Sequence, residues 1–163
     1  MKNRISLRSI YSIAFILLGA SALSQNIKQE KMEQLSFLVG EWVGTTTSLD
    51  NGTITKQGAA YEKISYDLDS HLLVIELNTE FLQLHTIITY NEEDEKYYYH
   101  RFSKDGAAIY PAEFKEGQLI VWKNEQTRFF FGRTPEGDFL EYGEKLVNGK
   151  WTRYFEDRFK NTE

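Results

Sequence analysis

Residues 81–103 read FLQLHTIITYNEEDEKYYYHRFS, two runs of β-branched and aromatic residues on either side of a charged segment. Runs of this composition form strands, and the polar segment from Asn91 to Lys96 is typical of a connecting turn. The stretch therefore predicts an antiparallel hairpin in which Tyr90 lies opposite Tyr97.

The register of this hairpin determines which side chains share a face. With Tyr90 opposite Tyr97, His85 and His100 are diagonal neighbours on one face, which also carries Tyr98. The other face holds Leu84, Thr86, Ile88, Tyr90, Tyr97, Tyr99 and Arg101. A shift of the register by one residue would separate the two sets.

The same pattern of apolar runs and turn signals continues on both sides of this hairpin, with Asn51-Gly52 and Asn148-Gly149 among the clearest turn signals. The sequence predicts about ten strands. They are Glu41–Thr47, Thr53–Tyr66, His71–Thr79, Phe81–Tyr90, Tyr97–Ser103, Ala107–Lys115, Gln118–Asn124, Thr127–Thr134, Phe139–Val147 and Trp151–Phe159.

Many of these connections are short enough for hairpins, so the strands form an antiparallel up-and-down meander. Closing such a meander into a barrel removes its two free edges, which makes an all-β barrel the expected fold. A two-sheet sandwich is the alternative. Before the first strand, apolar residues in the segment Gln25–Leu38 recur at helical spacing, which predicts a short amphipathic helix.

Composition narrows the possible functions. The chain has 163 residues, of which 41% are hydrophobic, enough for one domain with a substantial core. Its net charge of −5 argues against nucleic acid as a partner, because phosphate binding needs a concentrated positive surface. It contains no cysteine, which excludes disulfides, thiol catalysis and cysteine-ligated metals.

The N-terminal 24 residues have the layout of an export signal. Lys2, Arg4 and Arg8 precede an apolar run from Ile10 to Leu23 that is too short to span a bilayer. We therefore expect a signal peptide over residues 1–24 and a mature domain over 25–163, without a membrane span after cleavage. The expected location is the periplasm or the extracellular medium. The sequence does not indicate an oligomeric state.

The segment Leu35–Gly44, LSFLVGEWVG, resembles the opening of lipocalin-like (calycin) proteins, in which a short helix leads into Gly-x-Trp at the start of the first strand. It is most similar to bacterial exported proteins of unknown function that begin Phe-Leu-x-Gly-x-Trp-x-Gly. These proteins also end in a Gly-x-Trp segment and a last strand rich in Tyr, Phe and Arg, which Gly149–Phe159 matches. The resemblance implies a calycin-like barrel but no specific activity.

The resemblance also implies structural roles for several residues. The Trp of the first strand, here Trp42, would close one end of the barrel, and an Arg of the last strand would lie across its ring in a cation–π contact. Arg158 is the favoured candidate and Arg153 the alternative. Three further residues would shape the strand ends and their packing: Gly40, Gly44 and Trp151.

Candidate ligand-binding residues come from the predicted strands. In fatty-acid-binding and related barrels an interior Arg with a Tyr holds a ligand carboxylate, and Arg101 with Tyr99 would form such a pair. His85 and His100 would add a polar patch inside the barrel. Either Phe129 and Phe131 or Phe130 alone would point inward and line the cavity or fill it. The alternatives are solvated Arg residues, half-exposed histidines and aromatic residues that only pack.

No metal or cofactor is expected. Two histidines without a third ligand at fixed spacing are a weak metal signal. Haem barrels of the nitrobindin type share the Gly-x-Trp-x-Gly opening, but their axial His comes late in the chain, and no His follows His100 here. Catalysis is left open: His85 or His100 near Glu76 or Glu80 would suit acid–base chemistry. No nucleophile motif is present.

These observations favour an exported barrel that binds a small apolar or amphipathic molecule, such as a lipophilic or aromatic compound. One alternative is an enzyme that acts on such a molecule in the same cavity. Another is an envelope interaction domain whose barrel is filled by its own side chains. A cavity larger than about 300 Å³ would separate the first two hypotheses from the third.

Overall fold

The structure, a computed structural model, describes residues 27–162. Residues 27–33 form a short α-helix (α1), and Ser36–Leu38 add a turn of 3-10 helix. The predicted export signal, residues 1–24, lies outside the described residues. Within the described part of the chain, no helix is long and apolar enough to cross a membrane.

Ten antiparallel strands follow the helix and close into one barrel, in which each strand pairs with its neighbours in sequence and β1 pairs with β10. This confirms the all-β up-and-down barrel and excludes the two-sheet sandwich. The strands are β1 Gly40–Asp50, β2 Thr53–Asp67, β3 Leu72–Thr79, β4 Gln83–Asn91, β5 Lys96–Ser103, β6 Gly106–Lys115, β7 Gln118–Asn124, β8 Thr127–Arg133, β9 Phe139–Val147 and β10 Lys150–Asn161.

The register of the β4–β5 hairpin is the predicted one. Tyr90 lies opposite Tyr97, His85 opposite Phe102 and Ile87 opposite His100. The face that carries Thr86, Ile88, Tyr90, Tyr97 and Tyr99 points into the barrel, where all five side chains are buried. Burial of this set fixes the register, because a shift by one residue would bring the polar outer face into the core.

The helix covers one end of the barrel. The apolar side chains of Met32 in α1 and of Leu35 and Leu38, which follow it, are fully buried in the barrel core, as expected from their spacing. The hydroxyl of Tyr66 donates a hydrogen bond to the carbonyl of Met32, and that of Tyr97 donates to the carbonyl of Lys31. These bonds satisfy carbonyls at the end of α1 and fix the helix over this end of the barrel.

Trp42 completes this closed end. Its ring is fully buried against Phe139, and its indole N–H donates a hydrogen bond of 2.9 Å to the carbonyl of Leu38. The cation over the ring belongs to Arg133 of β8, whose Cζ lies 4.2 Å from the ring centre. The expectation that Arg158 or Arg153 would lie there is therefore wrong.

The alternation of side chains along β10 explains this correction. Phe159 is buried inside the barrel, so its neighbour Arg158 points outward, where it pairs with Glu156. Arg153 also points outward and pairs with Glu156. Arg133 stands at the end of β8 and reaches the closed end, where it also donates to the carbonyls of Phe37 and Gly137.

Two of the expected structural residues show why a glycine is needed. A Cβ atom on Gly44 would lie 1.9 Å from the carbonyl oxygen of Arg158, so a glycine lets β1 approach β10 at the seam of the barrel. Gly40 has a φ of +146°, which favours glycine at the entry to β1. Trp151 packs on the outer surface, edge to face with Trp122, and the Cζ of Arg128 lies 4.0 Å from the centre of its ring.

Candidate functional site

A cavity of about 360 Å³ lies inside the barrel at the end opposite the helix. Its walls come from the halves of the strands that are remote from α1, and the exposed side chains of Phe81 and Lys123 stand at its mouth. The lining residues are Thr46, Ser48, Leu77, Thr79, Phe81, Leu82, Leu84, Tyr99, Arg101, Tyr110, Lys123, Phe129, Glu141, Tyr154, Phe155 and Asp157. The closed end is filled by side chains, whereas this half of the barrel is not.

Six of the sixteen residues that line the cavity are aromatic. The ring of Phe129 packs against those of Tyr110 and Phe155, with centroid distances of 6.3 and 6.1 Å. Tyr99 stacks beside Tyr110 at 6.5 Å. Tilted and edge contacts at these distances are favourable and hold the rings in defined orientations. The cavity therefore has rigid apolar sides suited to a flat or apolar group.

A bulge in β10 adds a further tyrosine hydroxyl to this wall. The register of β9 and β10 shifts between Arg153 and Phe155, which brings Tyr154 and Phe155 together at the cavity. Gly143 on the facing strand leaves room for both rings, since a Cβ there would lie 2.2 Å from Phe155. The sequence pattern alone did not predict this bulge.

Two carboxyl groups lie side by side at the base of the cavity. Glu141 of β9 and Asp157 of β10 are register partners, with exposures of only 6% and 3%, and both line the cavity. A third carboxyl, that of Glu62 on β2, is buried near them. Each of the three has one carboxyl oxygen without a hydrogen-bond partner.

Burial changes the protonation of these acids. It raises the pKa of Asp157 to about 6, and hydrogen bonds from the Thr46 hydroxyl and the Thr47 backbone N–H oppose that shift. Burial, followed by repulsion from the neighbouring carboxyls, raises the pKa of Glu62 and of Glu141 well above the ordinary value. The carboxyl groups at the base of the cavity therefore keep their protons to higher pH than exposed carboxyl groups do.

Of the candidate ligand-binding residues, the structure brings Tyr99, Arg101 and Phe129 together around the cavity. Phe131 is buried in the core beneath it, in contact with the ring of Tyr99. The half-buried Arg101 guanidinium donates to the hydroxyl of Ser103 at 3.0 Å. These positions match the expectation that this face of β5 points into the barrel.

The histidines lie elsewhere. His85 is half exposed on the outer face, 3.8 Å from Glu76, and His100 is hydrogen-bonded to Thr89 on the same face. Because the buried Thr86 lies next to His85 and points inward, His85 must point outward. The expectation of a histidine patch inside the barrel is therefore wrong.

The sequence analysis missed the buried acids, although a signal for them is present. Asp157 stands two residues from both Phe155 and Phe159, and Glu141 stands two residues from Phe139. In a strand, residues two apart share a face, so these carboxyls lie on the same face as buried rings. Within residues 27–162, no group of three or more His, Asp or Glu side chains is arranged to hold a metal ion.

Comparison with known proteins found no family model and no curated protein that matches the chain.

Proposed function

We propose that this protein binds a small amphipathic molecule in the cavity of its barrel. The observation that carries the proposal is the cavity itself, which has a volume of about 360 Å³ and is walled mainly by aromatic and aliphatic side chains. Ligand pockets begin at about 300 Å³ and combine apolar walls with a few polar groups. A barrel filled by its own side chains would lack such a space.

The closed ten-stranded barrel with an N-terminal helix agrees with the calycin resemblance of the segment Leu35–Gly44. Calycin-like barrels use one closed end and one open end, and the cavity here lies at the end remote from the helix. We further propose that the chain is exported, as its N-terminal residues suggest, and meets its ligand in the periplasm or the medium.

An enzymatic role is the second candidate, and the neighbouring carboxyl groups of Glu141 and Asp157 support it. Glu141 and Asp157 are register partners at the base of the cavity, and the pKa of each is raised by burial. Paired carboxyls with raised pKa values are suited to general acid–base catalysis. Turnover of a bound molecule would separate this role from binding alone.

The test is to detect a ligand and then to block the cavity. Native mass spectrometry of the purified protein, followed by organic extraction, would reveal a co-purifying molecule. Binding of the neutral dye N-phenyl-1-naphthylamine, followed by its fluorescence, reports the cavity directly. We expect Leu84→Trp, which fills the cavity from β4, to abolish dye binding.

The matched control is Ile87→Trp, on the outer face of the same strand. It should bind the dye as the unmodified protein does. Equal dye binding by both variants would contradict the proposal, because the dye would then occupy another site. No dye binding by the unmodified protein, with no co-purifying molecule, would contradict it as well.

A further inference from the structure

The cavity wall carries two sets of ionisable groups, acidic and basic, that do not pair with each other. One set is the acid pair Glu141 and Asp157, and the other is the guanidinium of Arg101. Within residues 27–162, none of these three side chains forms an ion pair. Opposite charges that can reach each other in a poorly solvated space are expected to pair, so these are held apart by the barrel.

The topology explains the separation. Asp157 lies on β10 and Arg101 on β5, and five steps around the ten strands lead from one to the other in either direction. The two strands therefore stand on opposite walls of the barrel. Because a rigid closed sheet fixes the distance between its walls, the acids and the guanidinium face each other across the cavity.

The acid wall is prepared for a donor. Glu141 and Asp157 line the cavity and are more than nine-tenths buried, and each has one carboxyl oxygen that is shielded from solvent and has no hydrogen-bond partner. Leaving a buried acceptor without a partner costs free energy. An ammonium group offers three N–H donors and a positive charge, which would pair with the two carboxyl groups of this wall.

The opposite wall is prepared for an acceptor. Within residues 27–162, the Arg101 guanidinium donates one hydrogen bond, to the Ser103 hydroxyl, which leaves further N–H groups of its planar fork available. A carboxylate or phosphate matches that fork with two parallel hydrogen bonds. Lys123 is exposed at the mouth, and its positive charge would draw the same acidic group of a ligand toward this end.

We infer that the cavity selects a zwitterion, a small molecule with an ammonium group for Glu141 and Asp157, an acidic group for Arg101 and an apolar body between the aromatic walls. This inference rests on the proposed function and specifies its ligand class. The raised pKa values of the buried acids agree with it, because an ammonium group would supply a positive charge beside them.

The experiment uses three compounds with one aromatic body and different charges, namely L-phenylalanine, 2-phenylethylamine and 3-phenylpropionate. Each is titrated against the full protein with bound N-phenyl-1-naphthylamine, and dye displacement gives its affinity. We expect L-phenylalanine to bind at least about tenfold more tightly than either singly charged compound, since it alone pairs with both walls.

Variants assign each charge to its wall. Asp157→Asn should weaken binding of L-phenylalanine and 2-phenylethylamine but leave 3-phenylpropionate unchanged. Arg101→Met should weaken L-phenylalanine and 3-phenylpropionate but leave the amine unchanged. Glu76→Gln, an exposed acid on the outer face, is the control and should change none of the three affinities. Retained dye binding shows that each variant is folded.

The outcomes separate the two proposals. If the dye binds but L-phenylalanine displaces it no better than the singly charged compounds, the zwitterion inference is wrong and the binding barrel stands. The same holds if Asp157→Asn and Arg101→Met weaken the amine and the acid equally. If neither the dye nor any of the three compounds binds, the proposed function itself fails.

Discussion

At the scale of single residues, the closed end of the barrel depends on a few polar contacts inside an apolar plug. Trp42 is fully buried, and its indole N–H is satisfied by the carbonyl of Leu38. Arg133 lies over the ring and donates to two backbone carbonyls, so its charge has partners although it packs against apolar surface. This guanidinium holds the loop after β8 and the segment before β1 together.

Replacing Arg133 tests that role. Arg133→Met removes the cation–π contact and both hydrogen bonds, and we expect the free energy of unfolding to fall by about 2 kcal/mol. Arg158→Met is the matched control, because Arg158 is half exposed and its salt bridge with Glu156 lies at the surface, and it should cost less than about 1 kcal/mol. Urea denaturation measures both losses. A larger loss for Arg158→Met would contradict the role assigned to Arg133 and favour an Arg of the last strand as the partner of Trp42.

The pKa of Asp157 makes a second prediction at this scale. Its carboxyl keeps a proton in the folded state up to about pH 6, whereas the unfolded chain releases that proton near the ordinary value of 3.8. The folded state therefore binds more protons between these values, and the free energy of unfolding falls as the pH rises through this window. Above pH 6 the folded state carries the full free-energy cost of burying the ionised Asp157 carboxylate, which lowers the free energy of unfolding by about 3 kcal/mol.

Asp157→Asn removes that cost, so the variant should be more stable than the unmodified protein at pH 7.5 and gain little at pH 4.5. Glu62 and Glu141 inside the barrel titrate in the same direction, so the pH dependence becomes smaller but does not vanish. Thermal unfolding at several pH values measures the effect. A variant that is less stable than the unmodified protein at pH 7.5 would contradict the assigned cause.

At the scale of strands, the seam between β1 and β10 is the most demanding contact in the barrel. These strands are the first and last of the meander, and no tight turn connects them. Gly44 faces the backbone of Arg158 so closely that a methyl group cannot be placed there without moving one strand. The seam therefore requires a residue without a side chain at this position.

Gly44→Ala should destabilise the protein by about 3 kcal/mol or more, because the clash is with backbone and not with a flexible side chain. Gly132→Ala is the control, since a Cβ there meets only the side chain of Gln118, at 3.0 Å. It should change stability by less than about 1 kcal/mol. A small loss for Gly44→Ala in urea denaturation would mean that the seam tolerates a larger separation of the strands.

Whether a feature of this fold can be predicted from the sequence depends on how far apart in the sequence the interacting residues lie. The ten strands and the β4–β5 register follow from local alternation and turn chemistry, which act within one hairpin. The partner of Trp42 does not, because Arg133 reaches it only through the three-dimensional approach of β8 to the closed end. The inward direction of Glu141 and Asp157 was predictable from the alternation of side chains along β9 and β10. That one oxygen of each lacks a hydrogen-bond partner depends on the three-dimensional surroundings of these side chains.

At the scale of the whole molecule, the barrel consists of nine sequential hairpin pairings and one long-range closure. Each hairpin brings together strands that are close in sequence, whereas pairing of β1 with β10 joins the two ends of the domain. Closing a long loop costs more entropy than closing a short one, so the seam should form late in folding. Contacts within the meander should be formed earlier, in the transition state.

Two buried phenylalanines test this order of events. Phe159 packs at the seam on β10, and Phe131 packs within the meander on β8, both with an exposure of 1%. Replacing either with Leu should cost about 1 to 2 kcal/mol. Stopped-flow folding and unfolding in urea should show that Phe159→Leu mainly speeds unfolding, whereas Phe131→Leu also slows folding. If the whole loss of stability of Phe159→Leu appears as slower folding, with the unfolding rate unchanged, the barrel closes before the rate-limiting step. The expectation that the seam forms late would then be wrong.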